Sequence, residues 1–131
     1  MKKMKKTIQG EHTLYAVKGF LQEEKNIQIG KLGEFTFARG YYVYVGSAKR
    51  NIQARINRHI QVEKKKRWHL DYLRPYLHIE EVQTFLGEEG ECQLFARLQE
   101  KNGGIIPAKG FGSSDCHCLS HLFYSLNESQ L

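Results

Sequence analysis

The sequence predicts an α+β domain: one mostly antiparallel central sheet flanked by helices. Three observations carry that expectation. The first 46 residues hold short apolar and aromatic runs separated by turn residues. From residue 51 the apolar period changes, with Ile52, Ile56 and Ile60 recurring every four positions. A β-prone run then returns after the helical stretch, at Glu81 to Leu86.

Taken in order, Thr13 to Leu21 is apolar and aromatic and reads as a strand. Ile27 to Ile29 and Glu34 to Ala38 alternate, and Gly30-Lys31-Leu32-Gly33 between them is turn-rich. Tyr41 to Val45 is strongly β-prone. These runs predict an antiparallel meander ending at Gly46. An amphipathic helix is predicted over about Asn51 to Lys65. Trp68, Tyr72 and Leu73 suggest a second short helix that stops near Pro75, because proline disfavours helix in the residue before it. Leu94, Phe95 and Leu98 place a third helix over Glu91 to Lys101, ended by Asn102-Gly103-Gly104. Gly110 to Asp115 reads as a loop.

A chain of 131 residues fits one domain. The expected division is a frayed basic end at 1–10 and a folded domain at 11–131. A composition of 40% hydrophobic and 26% charged residues is that of a globular chain, not a disordered one. No apolar run approaches the ~20 residues of a membrane span, so no membrane partner is expected. The basic start, Met1 to Lys6, is not followed by an apolar segment, so it does not read as a signal peptide. Three cysteines are an odd number and are not spaced as a disulfide framework, and the expected location is the cytoplasm.

The net charge is +6, and its distribution says more than its total. Lys49, Arg50, Arg55, Arg58, Lys64, Lys65, Lys66 and Arg67 fall within nineteen positions. Such a segment is a candidate footprint for nucleic-acid phosphates; a solvated helix face explains it equally well. Arg55 and His59 are four residues apart and share one helix face. A guanidinium fork suits phosphate, and a histidine can bind phosphate or move a proton. Tyr44 closes the preceding strand, and a phenol near arginine is expected to have its pKa lowered. Gly46 lets the backbone turn or approach a ligand closely.

Six stretches in order then resemble one family. They are Gly40 to Ala48, Arg55 to His59, Trp68 to Leu73, Glu91-Cys92, Gly110 to Cys116, and Ser120 to Tyr124. Tyr44-Val45-Gly46 resembles the second signature of the GIY-YIG nuclease superfamily, and Thr13-Leu14-Tyr15 sits where the first would be. The chain is similar to the Uri-type small endonuclease-like branch, long catalogued as a domain of unknown function. The resemblance implies a metal-dependent endonuclease acting on phosphodiester bonds, of DNA in preference to RNA. It implies one divalent ion, Mg²⁺ or Mn²⁺, on a single Glu, for which Glu91 stands. Tyr15 would help activate water, Tyr44 would be the second-signature tyrosine, Arg55 would grip the scissile phosphate, and His59 would stand beside them. Nucleic-acid contacts would fall on Lys49, Arg50, Arg58, Lys64 and Lys65. Gly46, Ser47, His69, Asp71, Ser114 and Asp115 are expected along the cleft. Three departures stand out: Thr13 replaces the glycine of the first signature, the Ile27 to Ala38 hairpin lengthens the gap between the tyrosines, and the late Asn of several family enzymes has no clear match.

Other readings stay open beside these. Tyr15 and Tyr44 suit sheet packing, and Glu91 suits the first turn of any helix. Cys92, Cys116, Cys118 and His121 could ligate zinc, but the spacing is not C-x-x-C, and zinc is the weaker expectation. A second functional reading is a nucleic-acid-binding module that keeps the fold without efficient cleavage. Under either reading a protein partner could supply the recognition surface.

Overall fold

The computed structural model describes residues 4–113 and 119–131. Among them are seven strands and three α-helices in one mixed α+β domain. The sheet is built outward from β2 (Leu14–Leu21), which pairs antiparallel with both β5 (Gly40–Ser47) and β6 (Leu77–Phe85). β7 (Leu122–Ser125) adds antiparallel to β5, and β1 (Lys5–Thr7) adds parallel to β6. The order is β1-β6-β2-β5-β7. The N-terminal stretch expected to fray therefore supplies a short edge strand, with Lys5 opposite Glu81.

The predicted continuous meander does not form. β3 (Lys25–Ile29) and β4 (Gly33–Phe37) pair only with each other, as a separate two-stranded ribbon. β2 runs directly against β5 across it, Tyr15 facing Gly46 and Leu21 facing Gly40. The ribbon buries Ile27, Ile29 and Phe37 against the main core and leaves Asn26, Gln28 and Thr36 outside. A hairpin with one apolar face needs a surface to cover, and the sheet and α2 provide it.

Alternation along the strands creates two cores. Tyr15, Val17, Tyr42 and Tyr44 face one side, with Ile52 and Ile56 of α1 (Ile52–Ile60) and Leu70 and Leu73 of α2 (His69–Leu73). Leu14, Ala16, Val43 and Val45 face the other, with Leu94, Phe95 and Leu98 of α3 (Glu91–Asn102).

α1 is shorter than its periodicity predicts. Asn51 caps its start, its side chain accepting from the Ala54 amide at 3.2 Å. Its end is set by Lys64, which folds back and donates to the Arg58 and His59 carbonyls at 2.6 and 3.1 Å. α2 gives way at Arg74 to a 3-10 turn, Arg74–Tyr76, that carries Pro75 at a tolerated position. β6 starts four residues before the predicted run. No helix among the described residues is long and apolar enough to cross a membrane.

Candidate functional site

β2 begins where β5 ends, and the start of α3 reaches the same point. There a cleft of about 180 Å³ opens, lined by Tyr15, Tyr44, Gly46, Ser47, Arg55, Arg67, Trp68, His69, Glu91, Gly112 and His121. That is room for several waters or one compact polar group.

Tyr15 comes first because the local sequence is built around it. It lies directly opposite Gly46 on the same sheet face. A Cβ at Gly46 would stand 2.5 Å from the Tyr15 hydroxyl, so only glycine leaves space for this ring. Gly46 thus serves packing across the β2–β5 pair. Its backbone is extended, so no turn is involved. The phenol shares a 2.7 Å hydrogen bond with His59 Nε2. Tyr44 also lies against the His59 ring, centroids 5.7 Å apart.

Electrostatics here differ from the sequence expectation. Burial pushes the Tyr15 hydroxyl well above the usual tyrosine range, and Arg55 beside it opposes that only in part. Burial raises Tyr44 in the same way. The expected lowering of a phenol by arginine is real in sign but smaller than the desolvation that opposes it. His59 moves down to about 3, first through burial and then through the Lys64 charge, so its imidazole is neutral. It is 1% exposed, stands behind the tyrosines and does not line the cleft; its Nδ1 has no hydrogen-bond partner among the described residues.

Arg55 is half-buried on α1. Its Nη1 donates to the Ser47 carbonyl at 3.1 Å, and its guanidinium lies 4.7 Å from the centre of the Trp68 ring. Glu91, the first residue of α3, is the one carboxylate among the described residues of the cleft, with its side chain 28% exposed. Its Oε1 is 3.7 Å from Nδ1 of His121. Burial lowers the His121 pKa, opposed by Glu91. His69 accepts from the Gly112 amide at Nδ1, 2.7 Å, so the neutral ring carries its proton on Nε2. Burial lowers its pKa too.

Asp71 is not on the cleft. Its side chain is fully buried, ion-paired to Arg58 at 3.0 Å and to Lys64 at 3.2 Å. It also accepts the backbone amides of Arg67 and Trp68 at 2.8 and 3.0 Å. These four donors hold the carboxyl below the usual carboxylate range against its burial. Arg58 and Lys64, expected to face nucleic acid, are turned inward by this carboxylate. Lys49, Arg50 and Lys65 are exposed. Ser114 and Asp115, with Cys116 and Cys118 of the zinc reading, lie outside the described residues; Cys92 Sγ is 3.3 Å from His121 Nε2.

The structure thus gathers Tyr15, Tyr44, Gly46, Ser47, Arg55, His69 and Glu91 at one cleft and puts His59 directly behind them. Sequence reading did not put Arg67, Trp68, Gly112 or His121 there. Trp68 and Arg67 sat in recognisable stretches; the missing signal was three-dimensional, the turn that Asp71 folds around itself.

A family model described as Domain of unknown function DUF123 matches residues 14–131, and the chain belongs to that family. No curated protein and no solved structure matches it significantly.

Proposed function

We propose that the chain is a metal-dependent endonuclease of the GIY-YIG type, hydrolysing phosphodiester bonds of nucleic acid and of DNA in preference to RNA. One observation carries the reading. Tyr15, Tyr44, Arg55 and Glu91 come from β2, β5, α1 and α3, yet line a single cleft.

Each side chain has a task there. Arg55 offers donors to the non-bridging oxygens of a phosphate. Tyr15 takes a proton from the attacking water as its own proton passes to Nε2 of neutral His59. The negative charge of a bound phosphate raises the proton affinity of His59, opposing Lys64 and Arg55. Lys49 and Arg50, just beyond Ser47, and Lys65 carry flanking phosphates.

Glu91 suits a hard divalent ion such as Mg²⁺ or Mn²⁺: a part-exposed carboxylate on a polar cleft, with room for water and substrate oxygens. Among the described residues no group of three or more metal-ligating side chains gathers, so substrate and water would complete the shell. When bound, the ion polarises the phosphoryl oxygen and stabilises the leaving oxygen.

The second reading, a binding module without efficient cleavage, has one observation in its favour: burial holds both tyrosines protonated. The two separate on labelled single-stranded, duplex and flapped DNA and on RNA, each with Mg²⁺ or Mn²⁺. The nuclease reading expects metal-dependent cleavage that falls on the order of 100-fold or more in Glu91→Ala. Salt-sensitive binding without cleavage, by folded wild type, would establish the binding module instead.

A further inference from the structure

Arg55 and Arg58 stand three residues apart on α1, and what holds them differs. Arg58 donates to the Asp71 carboxylate at 3.0 Å and to the Lys65 carbonyl at 2.6 Å, so its charge is compensated. Arg55 has no carboxylate within ion-pair distance among the described residues. It is held by the neutral Ser47 carbonyl and by the Trp68 ring, 4.7 Å away. Trp68 is itself fixed. Its amide donates to buried Asp71, and the Arg58 guanidinium packs 4.4 Å from the ring centre.

We propose that Trp68 is the positioning residue for Arg55, holding an uncompensated guanidinium at the cleft so that its donors stay open to a phosphate oxygen. The physical reason is the choice of partner. A carboxylate would fix Arg55 equally well but would compete with an anionic ligand for the same donors. An aromatic face holds the cation through its quadrupole and leaves the edge of the fork free. The carboxylate that would normally pair is placed one step back: Asp71 ion-pairs with Arg58 and Lys64, and fixes the segment that carries the indole. Arg67 adds a second guanidinium to the cleft, 5.6 Å from the same ring, so among the described residues the lining carries two guanidiniums against the one carboxylate of Glu91. The ligand class is therefore a phosphate or phosphodiester anion, and in that respect the inference rests on the phosphodiester reading above.

The test uses the full chain and two variants, Trp68→Leu, which keeps apolar bulk without a π face, and Trp68→Phe, which restores one. The first readout is the Nε–H NMR signal of Arg55 in the free protein, assigned by its loss in Arg55→Lys. It should be resolved in wild type, broadened away in Trp68→Leu and recovered in Trp68→Phe. The second is titration with inorganic phosphate, whose affinity should fall on the order of tenfold in Trp68→Leu and largely return in Trp68→Phe. Equal melting temperatures for the two variants would remove a structural explanation; Trp68→Met replaces the leucine variant if that one does not fold. An unchanged Arg55 signal and phosphate affinity in folded Trp68→Leu would overturn the proposal. An Arg55 signal that tracks residue 68 in a wild type that binds no phosphate would support the positioning role and overturn the phosphodiester reading.

Discussion

A methyl group on Gly46 would lie 2.5 Å from the Tyr15 hydroxyl and 2.6 Å from the ring carbon that bears it. Gly46→Ala should therefore push the phenol off His59, costing about 1–3 kcal/mol of stability by overpacking and more in any activity that uses Tyr15. Thermal melts beside an activity assay check both; an alanine variant with unchanged melting would contradict this packing. His59 makes a second prediction. Its folded pKa of about 3 lies below the unfolded value of 6.5. The stability tied to its neutral form is complete above pH 6.5. It is lost as pH falls toward 3, because the unfolded chain takes up the proton first. Between pH 7 and pH 5 the loss is about 2 kcal/mol. Urea unfolding should show that loss in wild type and not in His59→Gln, and equal pH dependence in both would refute it. The tyrosines, Arg55, His59 and Glu91 were legible by resemblance. The direction of the Tyr15 shift was not, because sequence gives the neighbouring arginine but not the depth of burial that outweighs it.

Lys64 shows why element ends are harder to read than element faces. The isoleucine period of α1 runs on toward Lys65, but Lys64 turns back onto the last carbonyls and ends the helix at Ile60. The same contact explains why Lys64 and Arg58 do not belong to an outward basic face. A run of cations in sequence does not say which of them a buried Asp71 will take. The ribbon of β3 and β4 was legible as two strands. Its separation from the main sheet was not, since pairing partners depend on which faces find cover. Asn102 makes the prediction proper to this scale. It is the last residue of α3; its side chain donates to the Gln130 carbonyl at 3.0 Å and accepts the Gln130 amide at 2.7 Å. Together with Lys18, which donates to the Ser129 carbonyl at 3.0 Å, it straps the C-terminal segment over the second core. Asn102→Ala should cost about 1–3 kcal/mol and speed amide exchange at Gln130 well beyond any change at α1. Equal exchange in both proteins would leave the strap without energetic weight.

At the scale of the whole molecule, alternation in β2 and β5 divides the interior into two cores, and the cleft opens at the end of the sheet that they share. α1 brings Arg55 from one side and α3 brings Glu91 from the other, so neither helix alone makes a site. That mixed α+β architecture was readable from the change of period at residue 51. The meeting of the two helix ends was not, since it depends on the strand order β6-β2-β5. Under the proposed function this meeting point hydrolyses phosphodiesters. Its most direct measurement is Mn²⁺- or Mg²⁺-dependent cleavage of labelled DNA by wild type beside Arg55→Ala, with melting curves for both. Arg55 is half-buried and contributes charge, not core volume, so the two proteins should have similar stability, with cleavage lower by on the order of 100-fold or more in the variant. Equal cleavage by both, or unfolding of the variant, would contradict it.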